Sequence, residues 1–180
     1  TTRARIRGVA MAENAQLIFI DTPGLFKPRR RLDRAMVAAA WGGAADADVV
    51  VLAGDIHEKD KGIIWAQENI KVPVIYVLGN HEYYKRAYPK FIGEIKNTSK
   101  NSNVHVLEND TINIDGVNFL GCTLWTNFEL FGDPKDAGYQ CQQVMTDYKR
   151  IRRSPSYSKL RSIDTSIIHS ISARWLDETL

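Results

Sequence analysis

The sequence predicts an α/β fold: a parallel strand core with helices, followed by an antiparallel hairpin portion. Three observations carry this. Short apolar runs rich in β-branched residues (QLIFI at 16–20, DVVVLA at 48–53, VPVIYVL at 72–78) read as buried strands. Stretches with helical spacing separate them. After residue 103 strands follow one another directly, around the two-residue turn signal Asp115-Gly116.

Residues 3–10 alternate weakly and suit a strand, on a sheet edge or loose, and Glu13-Asn14 reads as a turn. The strand at 16–20 ends in the breaker Asp21-Thr22-Pro23-Gly24. Leu32, Ala35, Met36, Ala39 and Ala40 recur at helical spacing, and Gly42-Gly43 are expected to close that helix. The strand at 48–53 runs into Gly54-Asp55, a helix spans 62–70, and the strand at 72–78 runs into Gly79-Asn80-His81-Glu82. A helix follows at 89–96, with Pro89 in a tolerated first-turn position. Strands are expected at 104–107, 111–114 and 117–125, and a helix at 138–151. The last helix starts from Asp164 or Thr165 as N-cap and runs to Leu180, with Ile167, Ile168, Ile171, Trp175 and Leu176 as its buried stripe.

The chain has 180 residues, 44% of them apolar and 25% charged, which is a globular composition. No run reaches 18 apolar residues and no secretory leader is recognised. The opening Thr1 reads as a cut end. Two cysteines are too few for a disulfide scaffold, so a reducing, cytoplasmic setting is expected. The net charge of +3 sits in the first 52 residues, largely at Lys27–Arg31 and Arg34. A charge this small does not argue for nucleic-acid binding, and the arginines read as a solvated helix start.

In a parallel sheet, ligands gather beyond the carboxyl ends of the strands. Asp21, Asp55 and Asn80-His81 all lie at such ends. Carboxylates, an amide oxygen and an imidazole suit a hydrolytic metal centre. Taken alone, Asp55 equally suits a helix cap and Asn80 a turn.

Residues 53–180 resemble a calcineurin-like metallophosphoesterase. The carriers are Gly54-Asp55, Gly79-Asn80-His81-Glu82, the segment GCTLWTNFELFGDP (121–134), and the stretches MTDYKRIR (145–152) and IHSISARWL (168–176). Residues 1–52 resemble Era-type GTPases, through TTRARIRGVA (1–10), QLIFIDTPGLF (16–26) and RRRLDRAMVAAAW (29–41). The expected organisation is therefore a mosaic, in one compact unit, joined near residues 46–52. The first resemblance implies an incomplete phosphoesterase sandwich, with Asp55 and Asn80 as ligands of a divalent metal, manganese or similar, and His81 as the catalytic histidine. The second implies nucleotide binding through Thr2, Asp21, Thr22 and Gly24, with Mg-GTP and RNA as ligands.

Both patterns have gaps. No Gly-x-x-x-x-Gly-Lys-Ser/Thr loop and no Asn-Lys-x-Asp motif occurs in the sequence. The phosphoesterase pattern lacks its opening Asp-x-His, and its two later histidine motifs would be expected beyond Leu180. Strand 16–20 is expected to lie parallel to strand 48–53, so that Asp21 joins Asp55 as a third metal ligand. The implied activity is metal-dependent phosphoester hydrolysis, impaired or absent because ligands are missing. The alternatives are a GTP- and RNA-contacting fragment and an inactive chimera. Apolar surface uncovered by the missing strands predicts self-association.

Overall fold

A computed structural model of the protein describes residues 6–12, 15–22 and 30–180. The chain divides into two compact units, 1–50 and 51–180.

In the first unit, β1 (Ile6–Ala12) and β2 (Ala15–Asp21) form an antiparallel hairpin, with Ala12 opposite Ala15 and Ile6 opposite Asp21. This corrects the expected parallel pairing. The strand at 16–20 forms, but its partner is β1, in a two-stranded sheet separate from that of 48–53. Closing a two-residue connection costs far less chain entropy than a crossover of some 30 residues. The strand is also not buried: Ile18 and Phe19 are exposed, as are Ile6, Val9 and Met11. Helix α1 (Arg31–Ala45) runs straight through Gly42-Gly43. Glycine inside a helix costs only about 1 kcal/mol relative to alanine, and Ala44 and Ala45 extend the helix beyond the pair.

The second unit contains the larger core. Strand β3 (Val50–Ala53) pairs with β4 (Val74–Val77), and β4 pairs parallel with β6 (Val104–Leu107). Between them run α2 (Lys61–Asn69) and α3 (Lys90–Thr98). Ile63 and Ala66 of α2, Phe91 and Ile95 of α3, and Val74, Tyr76 and Val104 of the sheet are buried together. Two-residue strands β5 (Ala87–Tyr88) and β9 (Arg152–Arg153) pair parallel. Strands β7 (Asp110–Ile114) and β8 (Val117–Gly121) form the expected hairpin. Asp115 at φ 50° and Gly116 at φ 85° supply the positive backbone angles of a two-residue turn. Strand β8 is shorter than the expected 117–125.

The helix expected at 138–151 is two helices. Helix α4 (Pro134–Val144) begins earlier, where Asp133 caps it by accepting from the Lys135 and Asp136 amides, each at 3.0 Å, with Pro134 in the first turn. Met145 is extended, and α5 (Asp147–Arg150) is one further turn. Helix α6 (Ser162–Thr179) starts before Asp164, whose carboxylate instead reaches back to the Arg161 amide at 2.8 Å. Its buried positions are Thr165, Ile168 and Ser172, whereas Ile167 and Ile171 are exposed. No helix among the described residues is long and apolar enough to cross a membrane.

Candidate functional site

Strands β3 and β4 end in two turns that touch. Gly54 at φ 80° and Asp55 at φ 58° follow β3 in succession, both left-handed. For Asp55 this conformation costs roughly 1–2 kcal/mol, which its surroundings must offset. A Cβ on Gly54 would lie 2.8 Å from the Gly79 nitrogen, and one on Gly79 would lie 2.6 Å from the Asp55 nitrogen. Each glycine is needed because the other turn's backbone occupies the space.

A single carboxylate joins the turns. Glu82 is 0% exposed. Its Oε2 accepts from the Asp55 amide (3.0 Å) and the Gly79 amide (2.9 Å). Its Oε1 accepts from the Ile56 amide (2.8 Å), the His57 amide (3.4 Å) and the Tyr76 hydroxyl (2.9 Å). A buried carboxylate is tolerated only when its oxygens are satisfied in this way. Burial, then the nearby Glu82 charge, pushes the Tyr76 hydroxyl far above its ordinary value, so it remains a donor.

The chemistry-bearing groups sit on this frame. The Asp55 carboxylate accepts from the His81 amide at 3.1 Å, which places it over the Asn80-His81 turn. The His81 ring is exposed and lies against Tyr84, with centroids 4.8 Å apart. Asn80 donates from its side-chain amide to Asp147, and the Tyr84 hydroxyl donates to the same oxygen at 3.0 Å. Burial, then that bond to Asp147, pushes the Tyr84 hydroxyl up to about 12. The Arg150 guanidinium lies over the Tyr84 ring at 4.8 Å and pairs with Glu58 at 3.2 Å.

The structure thus brings Asp55, Asn80 and His81 together. Asp21 ends β2, in the other unit, and the strand pairing expected to carry it to Asp55 does not form. Thr22 follows β2, while Thr2 and Gly24 lie outside the described residues. The exposed His57 ring approaches the carbonyl of its neighbour Glu58 at 3.2 Å, and His169 approaches the Leu124 carbonyl at 2.9 Å. Two further residues, Glu82 and Asp147, hold the site. Glu82 was legible only as the last letter of a motif. Asp147 had no signal beyond lying in MTDYKRIR, 67 positions from Asn80.

An Asp carboxylate and an Asn oxygen are hard donors that suit a cation such as magnesium or manganese. Among the described residues no group of three or more His, Cys, Asp or Glu could hold a metal ion. Asp55 and Asn80 by themselves supply fewer donors than a closed two-metal centre takes.

Residues 24–170 match the calcineurin-like phosphoesterase family model. The chain belongs to the calcineurin-like phosphoesterase family. Members of that family use divalent metals. The chain is also similar to GTPase Era proteins. It is 77% identical over 57 residues to GTPase Era of Dinoroseobacter shibae, covering 32% of this chain and 18% of that protein. It is 40% identical over 151 residues to GTPase Era of Agrobacterium fabrum, covering 82% of this chain and 46% of that protein. The chain spans less than half the length of these relatives. The two similarities overlap. The phosphoesterase match reaches back to residue 24, and the 151-residue Era match extends across the expected joint near 46–52. No solved structure matches the chain.

Proposed function

We propose that the protein is a metal-dependent phosphoester hydrolase with slow turnover. The supporting observation is the contact between the Gly54-Asp55 and Gly79-Asn80-His81 turns, held by the buried Glu82 carboxylate. Asp55 and the Asn80 oxygen are the proposed ligands of a divalent cation, manganese or similar. When bound, that ion supplies Lewis-acid polarisation of a phosphoryl oxygen. His81 would donate a proton to the leaving oxygen as water adds to phosphorus and the ester P–O bond breaks, with the proton of the attacking water passing to solvent, from which His81 is reprotonated. Its exposure supports that role, as does the hydrogen bond that its backbone N–H donates to the Asp55 carboxylate. Turnover is slow because two protein ligands hold a cation less firmly than a full set. A reducing, cytoplasmic setting goes with this reading, since Cys122 and Cys141 are free thiols.

The test is manganese-dependent hydrolysis of a chromogenic phosphodiester. Activity lost in Asp55→Ala and His81→Ala supports the reading. Activity indifferent to both changes and to a chelator removes it, and no activity at any metal concentration favours an inactive chimera.

The likeness to GTPase Era of D. shibae favours one second reading. In it, residues 1–52 contact guanine nucleotide with magnesium, or RNA, through Thr2, Asp21, Thr22 and Gly24. Titration with a fluorescent GTP analogue, with and without magnesium, decides it. The sequence has no phosphate-binding loop, so binding weaker than micromolar is expected.

A further inference from the structure

Asp147 is 5% exposed, and it lies on a segment that the proposed chemistry does not use. It opens α5, far along the chain from the two turns. Its Oδ1 nevertheless receives both the Asn80 side-chain amide and the Tyr84 hydroxyl.

An ionised carboxylate can only accept hydrogen bonds. The Asn80 atom facing it must therefore be the NH₂ nitrogen, and the amide oxygen must face the other way. Without such a partner a cation would have to hold the amide in its oxygen-outward orientation unaided. The same carboxylate oxygen holds Tyr84, whose ring lies against His81 and under Arg150. One buried group thus fixes the amide directly and supports the histidine through Tyr84.

We propose that Asp147 is the positioning residue of the site, holding the Asn80 amide so that its oxygen is presented to a divalent cation beside Asp55. This rests on the metal reading above. Asp147 touches no reacting atom, so its effect is on the occupancy and geometry of the cation site. Partners of this kind around a metal ligand are worth about 10–100-fold in affinity.

The experiment uses the full chain and two readouts. The first is Mn²⁺ binding, followed by the electron paramagnetic resonance of the free ion. Asp147→Asn is expected to weaken binding about 10–100-fold, because an amide facing an amide pairs either way round. The double change Asn80→Asp with Asp147→Asn exchanges donor and acceptor and returns an outward oxygen to position 80. Binding is expected to recover to within a few-fold of the parent. A carboxylate at position 80 is also a stronger cation ligand than an amide, so recovery supports the proposal where the double variant binds better than Asn80→Asp alone, and a double variant as weak as Asp147→Asn overturns it. The second readout is the Asn80 side-chain amide in nitrogen-15 spectra of the metal-free chain, with circular dichroism confirming that each variant folds. Protected, shifted NH₂ protons that lose both properties in Asp147→Asn support the anchor. Signals unchanged by that substitution overturn it. A parent chain that binds no Mn²⁺ overturns the metal reading and the cation half of this proposal, and the amide signals then decide the anchor separately.

Discussion

Two apolar strands of similar composition meet different fates in this molecule. In β2, within QLIFI, Ile18 and Phe19 remain more than half exposed, and among the described residues the strand has one hydrogen-bonded neighbour. In β4, Val74, Ile75 and Tyr76 are buried, with β3 on one side and β6 on the other. A run of β-branched residues is enough to make a strand. Burying it takes layers supplied by distant parts of the chain, and in the second unit α2 and α3 supply side chains to that core. The site follows the same division. The residues proposed for chemistry cluster where the strands are stacked, and Asp21, at the end of the exposed strand, loses the pairing expected to bring it there.

Paired phenylalanines test this contrast most sharply. Phe91 is 2% exposed and Phe19 is 59% exposed. Phe91→Ala is expected to cost about 3–5 kcal/mol in urea unfolding. Phe19→Ala should change stability by no more than about 0.5 kcal/mol. Equal costs would mean that the hairpin is covered in solution. Next in size is Glu82→Ala, which strips an acceptor from four backbone amides and the Tyr76 hydroxyl. A loss of about 3 kcal/mol is expected, with Glu82→Gln losing less because one oxygen remains. A loss near zero would show that water reaches both turns.

The β7–β8 hairpin gives a smaller effect. Gly116 has φ 85° with open space where a Cβ would sit, so Gly116→Ala tests the backbone alone. About 1 kcal/mol is expected, read from the thermal midpoint. The last effect is a pH slope. Burial raises the Glu108 carboxyl above its ordinary 4.5, opposed by bonds from the Thr123 hydroxyl and amide. Its stabilising contribution is therefore complete below about pH 4.5 and is lost as pH rises through the folded value. Glu108→Gln should flatten that stretch of the stability–pH curve, and an unchanged slope would remove Glu108 as its source.

Much of the strand and turn order was legible because its signals are local. Asp115-Gly116 specifies its hairpin through the backbone angles that those two residues accept. The two Gly-polar turns were legible as strand ends, although the reason for their glycines, each filling space left by the other, was not. Helix limits were misread where the deciding group was one side chain. Asp133 caps α4, which begins four residues before the expected start, and Asp164 works from the third helical position rather than as the cap. On α6, Thr165 and Ser172 flank Ile168 on the buried face while Ile167 and Ile171 remain exposed, so hydrophobicity alone chose the wrong stripe. Asp147 was not legible at all, since nothing in MTDYKRIR announces a partner 67 residues earlier.

By itself, the sequence determined most of the longer strands and helices, where Gly-Asp and Gly-Asn-His-Glu break them, and the resemblance to two families. Backbone preference and apolar run length act over a few residues, so they can be read locally. Only the tertiary structure decided that β2 folds back on β1, that Glu82 unites the two turns, and that Asp147 meets Asn80. Those outcomes depend on which distant groups compete for the same hydrogen bonds once water is excluded, and that competition has no signature in sequence spacing.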